Sequence, residues 1–351
     1  MRILAIESTC DETGAAVVEG GRGVLSNVVA SQVELHAKYR GVVPEIASRA
    51  HIENILPVVR EACATAGVEL RDVDAVAVAH RPGLIGSLLV GVTAAKSLAW
   101  ASGKPLIGVD HVHAHLYSVM LGDVAKPQAA VPAFPAVGLV CSGGHTALYE
   151  LRDWLDVRLI GSTIDDAVGE AYDKVAALLG LGYPGGPIVD RLAAKGDPRA
   201  VEFPRSLLGK ESLDFSFSGL KTAVLYRVYG VPGRGARPST AGGPPKISEQ
   251  ELADVAASFQ AACVDVIVRK LRRAAKVVGA RSVIVGGGVS ANRGLREAMK
   301  GFGLPVLVPG LEYCTDNAAM SGGLAHVYAE RGIVSELDLD AVPYSQFVAG
   351  V

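Results

Sequence analysis

The chain has 351 residues, half of them apolar, which is too long for one typical domain and comfortable for two with sizeable cores. Its 34 Lys and Arg against 36 Asp and Glu give a formal charge of -2, which excludes a broadly basic nucleic-acid surface; any RNA contact must use a local basic patch or a partner's charge. The five cysteines are scattered with no CxxC pair, which reads as reduced thiols in a cytoplasmic protein.

In chain order, a strand opens at Arg2, so no signal peptide is expected. It leads through the polar turn Glu7-Ser8-Thr9-Cys10-Asp11-Glu12-Thr13 into a second apolar strand, a hairpin. Helices follow from about Pro44 to Ala66 and from about Leu88 to Ala101. The apolar stretch from Val73 to Trp100 is broken by His80-Arg81-Pro82-Gly83, so no uninterrupted run reaches the length of a membrane span and no membrane role is expected. His111-Val112-His113-Ala114-His115, if helical, puts His111 and His115 on one face at i and i+4, where they can share a metal, while His113 points elsewhere. Zinc proteases place a Glu directly after the first His as general base; Val112 stands there, so the base of that mechanism is missing. Two histidines need another protein ligand. Asp316, in Tyr313-Cys314-Thr315-Asp316-Asn317, suits that role and equally suits a first-turn helix acid.

A second hairpin runs from Ala136 to Leu151 around the turn Cys141-Ser142-Gly143-Gly144-His145, so each half of the chain opens on one plan, as an internal duplication would. Backbone N–H groups of such turns can cradle phosphate oxygens. Each alone reads as an ordinary hairpin turn, but the pair points to a nucleotide between two lobes. Asp165 or Asp166 reads as a helix cap with its acids toward solvent, and Tyr183-Pro184-Gly185-Gly186-Pro187 as a constrained, site-shaping turn. The stretch from Val231 to Pro245 has almost no apolar side chains and reads as a mobile surface insertion, 231–246 in all. A long helix covers about Glu251 to Val278. A buried strand from Ser282 then enters Gly286-Gly287-Gly288, a turn that admits a ring or phosphate to the backbone, or a plain strand-to-helix turn capped by Ser290 or Asn292.

These motifs, together with Gly41-Val42-Val43-Pro44-Glu45-Ile46-Ala47-Ser48-Arg49-Ala50-His51 and Phe215-Ser216-Phe217-Ser218-Gly219-Leu220-Lys221-Thr222, stand in one order along nearly the whole chain. The set resembles the tRNA threonylcarbamoyladenosine transferase family, formerly O-sialoglycoprotein endopeptidase, in its bacterial form. The resemblance implies an α/β, duplicated actin-like and sugar-kinase-like fold with ribonuclease H-like lobes and a cleft between them. The N-terminal lobe would span 1–130, with C-terminal helices from about 318–351 returning to it, and the second lobe 131–317. His111, His115 and Asp316 would hold one divalent metal per subunit, usually Fe(2+), sometimes Zn(2+). Val140, Cys141, Ser142, Gly143, Gly144, Asp173, Gly186, Asp190 and Asn292 would bind threonylcarbamoyl-AMP, with Thr9 and Glu12 near phosphate and metal. The 44–51 segment would lie where tRNA or a partner approaches. The implied reaction moves the threonylcarbamoyl group to N6 of adenosine 37, in the anticodon loop of tRNAs decoding ANN codons. It implies two protein partners, an inactive paralogue of similar fold and a small ATPase, and poor activity of the chain alone.

Three departures from the family pattern stand out: Arg81 and Arg40 where glycine is usual, and the 231–246 insertion. Arg81 should not adopt positive φ. Three other readings compete: a kinase or chaperone of the same superfold, a metallopeptidase, and a non-enzymatic scaffold. The histidine pair argues against the first, Val112 against the second, and the metal-ligand and turn motifs against the third.

Overall fold

The computed structural model describes residues 1–39, 41–124, 131–230 and 247–345; Arg40 and the 231–246 insertion lie outside the described residues. The first half runs β1 (Arg2–Glu7), β2 (Glu12–Glu19), β3 (Gly23–Ser31), α1 (Val33–Ala37), α2 (Pro44–Ala66), β4 (Ala75–Arg81), α3 (Ile85–Ser102), β5 (Leu106–Asp110), α4 (His111–Tyr117) and β6 (Gly122–Asp123). The second runs β7 (Ala136–Cys141), β8 (Thr146–Leu151), β9 (Val157–Ser162), α5 (Val168–Leu178), α6 (Gly185–Ala193), α7 (Ser218–Tyr229), α8 (Glu249–Val278), β10 (Ser282–Gly286), α9 (Arg293–Lys300), β11 (Val306–Leu307) and α10 (Ala318–Glu330).

The two sheets share one five-strand order, β5-β4-β1-β2-β3 and β11-β10-β7-β8-β9, and the first adds β6 beyond β3. Short turns make β1–β2 and β7–β8 antiparallel hairpins, each extended by a third antiparallel strand. Parallel pairing needs a crossover, and helices supply it: α2 precedes β4, α3 precedes β5, and α9 precedes β11. Strands covered on both faces read as unbroken apolar runs, which is why Leu4, Ala5 and Ile6, or Val137, Leu139 and Val140, are all fully buried.

Three apolar clusters follow from this layering. One packs α2 and α3 on the outer face of the first sheet through Ile55, Val59, Leu88 and Val92. Another packs α5 and α8 on the second sheet through Val175, Phe259 and Ile267. The middle cluster draws on both sheets and on α4 and α10, through Ala5, Val140, Ile284, Leu116 and Leu324. Helix α10 therefore returns from the end of the chain to pack on β1 and β2. It is the one helix that does so among the described residues; 331–345 hold no other. Helix α3, 18 residues long, has the length and composition of a membrane span. The break at His80 to Gly83 precedes this helix and does not interrupt it. It packs against β4 and α2.

Candidate metal centre and cleft

Helix α4 is short and wholly buried, so its register is set by its cap. Asp110, the last residue of β5, accepts hydrogen bonds from the backbone N–H of Val112 (3.0 Å) and His113 (3.1 Å). That start puts His111 and His115 one turn apart, with ring centroids separated by 4.6 Å. Asp316 arrives from the other end of the chain. Asn317 caps α10 by accepting from Met320 N (3.2 Å), which leaves Asp316 just outside the helix. Its Oδ1 lies 3.0 Å from His115 Nε2 and 3.6 Å from His111 Nε2. His113 turns away, with its ring buried and 3.3 Å from the Tyr328 hydroxyl.

The electrostatics of the cluster are tightly linked. Burial alone would lower the pKa of His111, but Glu7 and Asp316 beside it raise it to about 9. Burial would raise that of Asp316, but His111 and His115 hold it well below the usual carboxylate range. Burial and the neighbouring His111 lower His115, and burial with both histidines lowers His145 to about 4. Burial, Asp316 and Asp11 raise Glu12 to about 9. Two imidazole nitrogens and a carboxylate oxygen, all within 4.8 Å of one another, make a chemically suitable donor set. Donors about 2.1 Å from a shared ion sit roughly 3.0 to 3.4 Å apart in octahedral or tetrahedral sites. The observed 3.0 Å separation lies in that range and the 3.6 Å one about 0.2 Å above it.

The cluster opens into a cavity of about 980 Å³ between the halves. Thr9 and Glu12 line it from the first hairpin, and Ser142, Gly143, Gly144 and His145 from the second. The second turn is held by Ser142 N to His145 O (2.8 Å) and His145 N to Ser142 Oγ (3.1 Å). Nothing lies within 4 Å of a Cβ built on Gly143 or Gly144, so this backbone is open to a ligand. Asp173 accepts from Gly185 N (2.6 Å) and shares the lining with Gly186. Asn292 caps α9 by accepting from Leu295 N (2.9 Å), and its amide donates to Asp190 (3.2 Å) and Gln260 (2.7 Å). Asp190 also pairs with Arg293 at 2.9 Å. Val140 and Cys141 sit differently: both are buried in β7, outside the cavity lining.

Several expectations resolve in detail. Arg81 ends β4 without positive φ, and Pro82 and Gly83 line the cleft beside Thr9. Asp165 does not cap α5, whose N-cap is Ala167. It accepts instead from Ser216 Oγ (2.6 Å), Ser218 Oγ (2.7 Å) and Phe217 N (2.8 Å), tying that motif to the end of the second sheet. Asp166 pairs with Lys174 (2.7 Å) rather than facing solvent alone. Sequence reasoning missed Glu7 and Asp110 as shapers of the centre. An acid at each strand end was the available signal.

Residues 23–323 match the tRNA N6-adenosine threonylcarbamoyltransferase (TsaD) family. Curated relatives of that name from Moorella thermoacetica and Symbiobacterium thermophilum are 53% and 52% identical; each alignment covers 97% of this chain, and 96% and 95% of the relative. Among solved structures, HypF from T. kodakarensis is 16% identical with a TM-score of 0.57, covering 94% of this chain and 48% of that one. Component A of (R)-2-hydroxyglutaryl-CoA dehydratase from Acidaminococcus fermentans is 13% identical with a TM-score of 0.51, covering 94% and 99%. These likenesses and the repeated sheet place the fold in the actin-like, sugar-kinase-like class with two lobes. With near full-length relatives and a family match over most of its length, the chain belongs to the tRNA N6-adenosine threonylcarbamoyltransferase family.

Proposed function

We propose that the chain transfers the threonylcarbamoyl group of threonylcarbamoyl-AMP to N6 of adenosine 37 in tRNAs decoding ANN codons, releasing AMP. The observation that carries this reading is the convergence of the His111–His115–Asp316 cluster and the open Ser142–Gly144 backbone on one interlobe cleft. His111, His115 and Asp316 would hold the metal, Fe(2+) in our reading with Zn(2+) as the other choice. When bound, it supplies Lewis-acid polarisation of the donor carbonyl. The turn at Gly143 and Gly144 offers N–H groups to the phosphate. Asp173, Gly186, Asp190 and Asn292 line the side of the cleft assigned to the nucleotide, with Thr9 and Glu12 on the metal side. Val140 and Cys141 would act by supporting that turn from the strand below. The N6 amine attacks the carbamoyl carbon, the bond from that carbon to phosphate oxygen breaks, AMP leaves with the electron pair, and the proton shed by the amine passes to water. An exocyclic amine is a weak nucleophile, so positioning by these residues is the main task.

The same reading assigns the lobes as 1–130 with the 318–351 return, and 131–317; the packing of α10 on the first sheet supports it. Lys174 and Arg293 at the cleft are already paired with Asp166 and Asp190, so the positive charge that attracts an anticodon loop would fall to Arg191 and to a partner's surface. Ile52 and Leu56 on α2, and Ile85 and Leu89 on α3, are exposed apolar residues on packed helices, which suits docking of the paralogue of similar fold. The small ATPase would join that assembly in the cytoplasm. The test is reconstitution with both partners, threonylcarbamoyl-AMP and an unmodified ANN-decoding tRNA, read by mass spectrometry of the nucleosides. Product that is lost in His115→Ala is expected; no product from metal-loaded wild type with intact donor would refute the transfer.

A further inference from the structure

We infer that Glu7 is a positioning residue for the metal: it fixes the His111 tautomer that leaves Nε2 free to ligate. The inference rests on the metal reading above. Glu7 closes β1 and is fully buried, so its carboxylate must be satisfied by donors. It has three. Oε1 accepts from Thr9 N (3.0 Å), while Oε2 accepts from His111 Nδ1 (3.2 Å) and Ser321 Oγ (3.3 Å).

The tautomer follows from the inventory of donors and acceptors. A carboxylate accepts and cannot donate, so the hydrogen between Oε2 and His111 must sit on Nδ1. The Thr9 hydroxyl, also 3.2 Å from Nδ1, does not reverse this. If it donated to a bare Nδ1, that lone pair would face the Glu7 oxygen directly. With Nδ1 holding its hydrogen toward Glu7, Nε2 is the nitrogen that faces Asp316, 3.6 Å away, and the one available to a metal. His115 has no equivalent support: its buried Nδ1 has no hydrogen-bond partner among the described residues. The pair is thus asymmetric, one imidazole set by a carboxylate and one by its helix. Glu7 also joins the three elements that bring the ligands together, because it ends β1, holds α4 through His111 and holds α10 through Ser321. Carboxylate–histidine–metal arrangements of this kind typically change metal affinity about 10–100-fold when the outer carboxylate is altered.

The test uses Zn2+ alone as probe, competed against a chromophoric chelator, on the full chain as wild type, Glu7→Gln, Glu7→Ala and His115→Ala. Glu7→Gln is near-isosteric but can present its amide N–H to Nδ1 and so admit the other tautomer. It should weaken zinc binding about 10–100-fold. Long-range 15N spectra of the histidine side chains should show a single Nδ1–H, Nε2-ligated form for His111 in wild type and a mixture in Glu7→Gln. A merely structural role would change thermal stability without changing that tautomer, and Glu7→Gln still reports if Glu7→Ala does not fold. Equal zinc affinity and an unchanged tautomer in Glu7→Gln, with binding lost in His115→Ala, would overturn the Glu7 assignment alone. Failure of wild type to bind zinc at all would overturn the metal reading with it.

Discussion

Acidifying the protein from pH 8 to pH 5 adds a proton to the unfolded chain at His113 that the folded chain refuses. The His113 ring is buried, hydrogen-bonded to the Tyr328 hydroxyl and the Trp154 backbone, and burial lowers its pKa from 6.5 to about 3. The folded pKa of this base is depressed, so the folded state binds fewer protons wherever the pH lies below 6.5. Its contribution is neutral above that value, and stability falls as pH drops, levelling off only near pH 3. At pH 5 the folded ring is still neutral and the unfolded one almost fully charged, which amounts to about 2 kcal/mol. The assay is urea unfolding at both pH values with a chelator present, so that bound metal does not contribute. All other ionisable groups are shared by both proteins, so the reference is His113→Gln, which keeps polar groups at the site but does not titrate. Wild type should lose about 2 kcal/mol more than His113→Gln over this interval. Equal losses would refute a buried, neutral His113. The outcome bears on the site because His113 lies between His111 and His115 on α4. Protonation that loosens this helix loosens both imidazoles.

Two further substitutions probe how the cleft is built. A Cβ at Gly286, the end of β10, would overlap the carbonyl oxygen of His115, and α4 is buried on every side. Gly286→Ala should cost about 1–3 kcal/mol as overpacking and also weaken zinc binding, checked by thermal melting and chelator competition; a melt unchanged from wild type would contradict the packing. Asn292→Ala removes the cap of α9 and the amide contacts to Asp190 and Gln260, so a loss of roughly 1 kcal/mol is expected. Calorimetry should show weaker binding of threonylcarbamoyl-AMP with zinc binding intact, because the Asn292 side chain hydrogen-bonds to Asp190, Gln260 and Leu295 and to none of the three cluster residues; a parallel fall in zinc affinity would show that the two parts of the site are not separable.

Much of the fold is legible in the sequence because its strands are covered on both faces. Such strands must be unbroken apolar runs, and the two hairpins appear as such runs around short polar turns. Helix α2 begins at its Pro44 and ends at Ala66, capped by Gly67, whose φ of 66° favours glycine, so its limits are written in local chemistry. Helix α3 has no capping side chain, and its start at Ile85, three residues before Leu88, leaves no mark. Asp165 shows a different limit. Its composition suits a cap, yet Ser216, Phe217 and Ser218 take its carboxylate from some fifty positions away. Only the folded chain decides between those partners.

The metal centre divides along the same line. His111 and His115 are legible because helical spacing alone places them together, once Asp110 caps the helix. Asp316 follows from no spacing. It stands beside Asn317, and either side chain has the chemistry of an N-cap. Were Asp316 the cap, its oxygens would be engaged by backbone N–H groups at the start of α10. Asn317 takes that position, accepting from Met320 N and donating to the Thr315 carbonyl at 2.7 Å. The carboxylate is thereby left with no helix to cap and is carried by α10, packed on β1, to within 3.0 Å of His115. A one-residue choice of cap therefore decides whether the cluster has two donors or three.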